Sequence, residues 1–105
     1  MEIEFLEPHL EELFSNGKTK NKKYRYQPQV VKKYIQKINI LRAASRIEDL
    51  FTMNSLNYEV LTNAGGRQSI RVDGTYRIEF YTTITGEEPD KITICSIADL
   101  SNHYS

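Results

Sequence analysis

The sequence of 105 residues contains no tryptophan, only one cysteine and only two histidines. The single cysteine, Cys95, cannot form a disulfide within the chain, which excludes a disulfide-stabilised small domain. It follows the largely apolar residues Ile92–Ile94, and this position predicts a buried structural thiol rather than a nucleophile. The widely separated His and Cys residues lack the spacing of a metal site. We therefore expect neither a metal ion nor a cofactor.

The sequence also lacks an apolar run as long as a membrane span, and its net charge is zero. Residues 1–5 have neither the basic nor the apolar region of a signal peptide. A chain of 105 residues is long enough for one modest hydrophobic core. We therefore expect a single domain over residues 1–105 that is cytoplasmic and has no membrane partner.

Acidic residues are absent from residues 17–47, where ten basic residues lie. These are Lys18, Lys20, Lys22, Lys23, Arg25, Lys32, Lys33, Lys37, Arg42 and Arg46. A block of one sign attracts polyanions even in a neutral protein, and interleaved aromatics such as Tyr24, Tyr26 and Tyr34 are typical of RNA binders. The segment therefore predicts nucleic-acid binding. The alternative is a solvated helix face and a lysine-rich loop packed against the acidic N-terminal helix.

The order of hydrophobic patterns predicts an α+β domain. A short strand at Glu2–Leu6 precedes a helix that begins at Pro8 and ends near Asn16. After a polar loop, Pro28 begins the longest helix, which runs to about residue 44. From Leu56 onward the pattern alternates as in strands, and the last strand is expected at residues 91–97. We expect an antiparallel sheet of about four strands with both helices on one face.

The hairpin at residues 69–80 has a register that can be derived from its residues. A three-residue loop at residues 73–75 pairs Ile70 with Ile78, whereas a two-residue loop mixes apolar and polar faces. The same register sets Arg71 directly opposite Arg77 on the other face. Like charges directly opposite destabilise a sheet, so this pair favours an anion between them, with phosphate as the first candidate.

The arginine face must be the open face of the sheet, since the alternative buries two charges. Its outward residues pair as Arg71 with Arg77, Ser69 with Glu79 and Arg67 with Tyr81. A guanidinium binds phosphate bidentately and stays charged at any working pH. The hairpin therefore predicts an anion site. The alternative is an exposed strand face in which Glu79 shields both arginines.

Two further positions bear on chemistry at this face. Glu59 alternates with its neighbours on the preceding strand, where it is either a general base or only an arginine partner. The tail Ser101–Ser105 leaves the last predicted strand and carries His103 and Tyr104, an imidazole and a phenol suited to acid–base work. This tail is expected either to fold over the site or to be frayed.

At this point the chain resembles the RelE/ParE superfamily of toxins from bacterial type II toxin–antitoxin systems, and especially its HigB-like branch. The resemblance covers nearly the full length. It rests most on the hairpin motif, Ser69–Val72 followed by Tyr76–Phe80, and on the order of elements, the helix opening at Pro28–Val31 and the aromatic and histidine ending.

This resemblance implies a small toxin that enters the ribosomal A site and cuts mRNA without a metal. It also implies a cognate antitoxin, of the helix-turn-helix, HigA-like kind, that neutralises the toxin. By position, Arg77 matches the transition-state arginine of the family, and His103 and Tyr104 match its terminal acid–base residues. The basic segment Lys18–Lys37 matches the contact to ribosomal RNA.

The chain departs from the HigB-like pattern on the strand before the hairpin. Glu59 and Thr62 stand where that branch places a His and a Lys. We expect Glu59 to replace the histidine, and Arg67 or Arg71 to replace the lysine. The leading prediction is an mRNA endoribonuclease. The alternatives are a non-enzymatic, ParE-like inhibitor of DNA gyrase and a degenerate member that acts only by binding.

Overall fold

The computed structural model describes residues 1–102. Its strands and helices follow in the order β1 Glu2–Phe5, α1 Pro8–Asn16, α2 Pro28–Ala43, β2 Glu59–Val60, β3 Gln68–Arg71, β4 Tyr76–Thr85 and β5 Ile92–Asn102. Short 3₁₀ turns lie at Lys22–Tyr24, Ile47–Leu50 and Asn54–Leu56. This α+β order agrees with the prediction from the sequence.

The five strands form one mixed sheet in the order β1-β5-β4-β3-β2. β1 is parallel to β5, and the other neighbouring strands are antiparallel. The predicted antiparallel strands after the helices correspond to β2–β5. β1 adds a fifth strand, and its parallel pairing makes the sheet mixed, so the predicted strand number and sheet type differ slightly from those observed. The alternating pattern of a strand records which face is buried, but it does not record which strand lies beside it or in which direction.

Both helices begin at a proline, where the missing N–H is not needed by the helix. Gly17 ends α1 with φ 75°, a left-handed conformation that favours glycine. Tyr34 on α2 donates a 2.8 Å hydrogen bond from its hydroxyl to the backbone carbonyl of Leu10 on α1. This bond is buried and links the two helices, so their relative position is fixed by a polar contact as well as by apolar packing.

The hydrophobic core lies between the helices and one face of the sheet. Its fully buried strand residues include Ile70, Ile78 and Phe80, and α2 contributes the buried Ile38. Cys95 is also fully buried, and burial raises the pKa of its thiol to about 12. A thiol of this kind is protonated at neutral pH, in agreement with the prediction that Cys95 is structural. The other face of the sheet is left for polar side chains.

β5 continues past the predicted end at residue 97 because it contains a β-bulge. Phe80 pairs with Ile97, whereas the preceding residue Glu79 pairs with Asp99. The extra residue restarts the alternation of β5, so Leu100 is buried in the core and Ser101 lies on the opposite face. Within residues 1–102, no helix is both long and apolar enough to cross a membrane.

Candidate functional site

The hairpin between β3 and β4 has the register predicted from the sequence. Ile70 pairs with Ile78, and Arg71 pairs with Arg77. The loop between the strands is held by the Asp73 side chain, whose Oδ1 accepts hydrogen bonds of 2.8 Å from the backbone N–H groups of Thr75 and Tyr76. The two arginines are therefore set opposite each other by a loop with a defined conformation.

Glu79 is the centre of a cluster of charged side chains beside this pair. Its Oε1 accepts a 2.8 Å bond from Nη1 of Arg67, and its Oε2 accepts a 3.2 Å bond from Nε of Arg77. The hydroxyl of Ser101 also donates to Oε2. Burial raises the pKa of the Glu79 carboxyl, but the hydrogen bonds from Ser101 and Arg67 and the charge of Arg77 outweigh burial and hold it below its usual range. Glu79 is therefore a buried carboxylate, only 7% exposed.

The sequence left two alternatives for the arginine face, an anion site and a strand face shielded by Glu79. The contacts of this cluster agree with each of them in part. In the second alternative Glu79 shields both opposing arginines, Arg71 and Arg77. In the structure it binds Arg77 and, in addition, Arg67. Arg71 differs, because its Nε donates to the backbone carbonyl of Asp73 at 3.1 Å and no carboxylate within residues 1–102 forms an ion pair with it. The pKa of Asp73, which burial alone would raise, is lowered by backbone hydrogen bonds and by the charges of Lys33 and Arg71. The Asp73 carboxylate therefore balances Arg71 in part without forming an ion pair with it.

Glu59 and the two opposing arginines line one cleft of about 120 Å³. Ser69 and Asn57 form part of the same wall. Oε1 of Glu59 lies 3.6 Å from Nη1 of Arg77, and its side chain is 45% exposed. The cleft thus combines two guanidinium groups with the carboxylates of Glu59 and Asp73.

A second, shallower depression adjoins the cleft at Arg77. It is about 530 Å³ in volume and is lined by Thr62, Arg67, Glu79 and Tyr81 among others. Arg67 donates from Nε to the Tyr81 hydroxyl at 3.1 Å, so its guanidinium is held at both ends. Thr62 and Arg67 thus line the same depression.

Ser101 and Asp99 belong to this site, although the sequence analysis did not identify them. Both follow the bulge, and strict alternation from Ile97 would have turned Ser101 toward the core. Burial and the neighbouring Glu79 carboxylate raise the pKa of Asp99. A signal was present in the sequence, since the buried residues Ile97 and Leu100 are three positions apart rather than two.

Ser101 and Asn102, predicted as the start of a tail, are instead part of β5. The predicted acid–base residues His103 and Tyr104 lie outside the described residues. Asn102, the last residue described, pairs with Tyr76.

The basic segment is predominantly exposed. Lys18, Lys20, Lys22, Lys23, Arg25, Lys32 and Lys33 are exposed, and Lys37 is half-buried. None of them forms an ion pair within the described part of the chain. The loop does contact α1, since His9 stacks on Tyr24 with ring centroids 3.6 Å apart. The alternative of a loop packed on the acidic helix thus holds for the loop itself, but its basic charges are not neutralised there.

The loop is also joined to the end of β5 that carries the site. The hydroxyl of Tyr26 donates to the backbone carbonyl of Leu100 at 2.8 Å, and its ring packs edge-on against Tyr76 at 5.5 Å. Tyr76 in turn forms part of the cleft wall. The basic segment and the arginine cleft are therefore neighbouring parts of one surface region.

Comparison with known proteins adds no relative. No protein-family model matches the chain, and no curated protein is significantly similar to it.

Proposed function

We propose that this protein is a HigB-like toxin of the RelE/ParE superfamily that inhibits translation by cutting mRNA on the ribosome. The observation that carries the proposal is the cleft in which Arg71 faces Arg77 with Glu59 alongside. A cleft with two guanidinium groups attracts a phosphodiester, and Arg71 forms no ion pair with a carboxylate in the described part of the chain. An adjacent carboxylate adds a proton acceptor.

The reaction that suits these groups is transesterification of RNA. Glu59 takes the proton of a ribose 2′-OH, whose oxygen then attacks the adjacent phosphorus. Arg77 stabilises the extra negative charge of the pentacovalent phosphorane, and Arg71 orients the phosphate. The 5′-oxygen leaves and takes a proton from a general acid, for which His103 and Tyr104 are the candidates. The products are a 2′,3′-cyclic phosphate and a free 5′-hydroxyl, and no metal takes part.

Two features support the ribosome as the place of reaction. The exposed basic residues between Lys18 and Lys37 give a surface without paired carboxylates, which is the electrostatic requirement for binding to ribosomal RNA. This surface adjoins the cleft through Tyr26 and Tyr76. A helix-turn-helix, HigA-like antitoxin is the partner that the proposal implies.

The test is expression of the protein in bacterial cells, followed by mapping of transcript 5′ ends and an assay of plasmid supercoiling. Wild-type protein should produce mRNA breaks in phase with codons, and Arg77→Ala should abolish them. Lys91→Ala is the control, because Lys91 lies at the base of β5 and its ion pair with Glu88 is exposed. Intact transcripts together with relaxed plasmids would instead identify a ParE-like gyrase inhibitor. Intact transcripts and normal supercoiling would leave only a binding function.

A further inference from the structure

A shallow groove whose walls carry both apolar and amide side chains lies directly beside the arginine cleft. It is about 270 Å³ in volume, and its walls include Phe51, Met53, Asn57 and Tyr58. Phe51 is 55% exposed and Met53 is 38% exposed. Large apolar side chains exposed side by side are a feature of binding surfaces, whereas single exposed ones are not.

The groove is fixed in place by its own packing. Two 3₁₀ turns bury Leu50 and Leu56 in the core, and the segment between them carries Phe51 on the outside. The ring of Tyr58 packs against Phe51 at 5.1 Å, and its hydroxyl donates to Oε1 of Gln68 at 2.8 Å. The aromatic surface is therefore held in place before any ligand arrives, which lowers the entropic cost of binding.

Asn57 joins the groove to the arginine cleft, because it lines both. Its backbone has φ 46° and ψ 51°, a left-handed conformation that costs energy for a residue other than glycine. The side chain is exposed and carries both a hydrogen-bond donor and an acceptor. A polar group of this kind therefore stands between a cationic cleft and an aromatic surface.

We propose that the groove is a base-binding subsite, in which a base of single-stranded RNA stacks on Phe51 while a neighbouring phosphate lies between Arg71 and Arg77. Asn57 then faces the ribose or the edge of that base. This inference rests on the proposed function, because it takes the phosphate site as its starting point. It goes beyond that function in assigning the groove to base recognition.

The size and the charge of the region favour a nucleotide over a protein partner. A stable protein–protein interface buries roughly 800 Å² on each partner, whereas the aromatic surface here consists of a few side chains. A nucleotide needs one flat apolar surface for the base and one cationic position for the phosphate, a few ångströms apart. The continuity of the groove with the cleft through Asn57 provides that pair of positions.

The experiment measures the affinity of the purified protein for short oligoribonucleotides by calorimetric titration. Tri-ribonucleotides are compared with matched oligomers in which one base, at each position in turn, is replaced by an abasic ribose. Stacking of one base on an aromatic side chain gives roughly tenfold in affinity. Phe51→Ala should therefore weaken binding of the intact oligomer about tenfold. The same variant should not change the affinity for the abasic oligomer that lacks the stacking base.

Ile84→Ala is the matched control, because Ile84 is also an exposed apolar residue, 65% exposed, but lies on the far part of β4. This variant should change neither the affinity for the intact oligomer nor the affinity for the abasic oligomers. Arg71→Ala should weaken intact and abasic oligomers equally, since the phosphate is present in both. Arg71-dependent binding that Phe51→Ala does not weaken would overturn the subsite and leave the phosphate site standing. Failure of the wild-type protein to bind any oligomer would overturn both.

The Phe51→Ala variant also distinguishes a base-binding groove from a groove that binds a protein partner. If Phe51→Ala leaves RNA affinity intact but dissociates a complex with a protein partner, the groove is a protein-docking surface and the base-binding subsite is wrong. The folding of each variant is checked by thermal unfolding. Phe51 is exposed, and its loss should leave the midpoint within a few degrees of wild type.

Discussion

Replacement of Glu79 by Gln tests whether the buried carboxylate holds the arginine cluster together. The variant keeps the size of the side chain but loses its negative charge and one of its two acceptor oxygens, so the guanidinium groups of Arg67 and Arg77 compete for one neutral carbonyl oxygen. Breaking a fully buried ion pair costs about 3–5 kcal/mol. In the folded protein the side chains of Arg67 and Arg77 are still 30% and 25% exposed to solvent, and in the variant Arg77 keeps its contact with Glu59. We therefore expect a smaller loss, about 1–3 kcal/mol.

The assay is urea unfolding of wild-type protein and of Glu79→Gln between pH 3 and pH 7. Because the pKa of Glu79 is lower in the folded than in the unfolded state, its stabilisation is fully present above the unfolded value, about 4.3. It is lost as the pH falls through the folded value. The stability difference between the two proteins should therefore be largest at pH 7 and should shrink below about pH 4.5.

Glu59→Gln is the control for this experiment. Glu59 is 45% exposed and its contact with Arg77 is long, at 3.6 Å, so its loss should cost no more than about 1 kcal/mol. A Glu79→Gln variant as stable as wild type at pH 7 would refute the role given to this carboxylate. A stability difference that stays constant down to pH 3 would also refute it, because the difference would then not depend on the charge.

Three further predictions concern stability. Asp73→Ala removes the acceptor of two backbone N–H groups in the hairpin loop and should cost about 1–2 kcal/mol in chemical unfolding; an unchanged midpoint would contradict this. Burial lowers the pKa of His9, so stability should fall as the pH drops through about 6.5, the unfolded value. His9→Phe should remove that fall between pH 7 and pH 5, and a fall that persists would assign it to another group. Gly86→Ala places a Cβ 2.8 Å from the carbonyl oxygen of Asp90, at a residue with φ 83°. The variant should lower the thermal midpoint by several degrees, and an unchanged midpoint would show that the turn relaxes freely.

The register of the β3–β4 hairpin was predictable because two local constraints agreed. Only a three-residue loop kept Ile70 and Ile78 on the face opposite to that of Arg71 and Arg77, and the structure has that pairing. Glu79 was placed correctly opposite Ser69, but it was expected on an open surface. Its burial depends on Arg67 and Ser101, which come from distant parts of the chain, and local patterns carry no information about such contacts.

The shape of the sheet was less predictable because it depends on pairing between distant segments. The parallel pairing of β1 with β5 joins residues about ninety positions apart, and nothing in the alternation of residues 2–5 indicates the direction of the neighbour. The strand expected at residues 56–61 is reduced to Glu59–Val60, because Leu56 belongs to a 3₁₀ turn and Asn57 takes a left-handed conformation. The 3₁₀ turn and the left-handed Asn57 form part of the aromatic groove, which was not predicted from the sequence.

The central claim is that the arginine cleft cuts mRNA, and purified ribosomes programmed with a short mRNA test it most directly. The measurement is the yield of mRNA fragments that end in a 2′,3′-cyclic phosphate, with wild-type protein, Arg77→Ala and Lys91→Ala. The account predicts such fragments with wild-type protein and with Lys91→Ala, and a loss of at least about a hundredfold with Arg77→Ala. Intact mRNA on ribosomes that have bound the wild-type protein would contradict it.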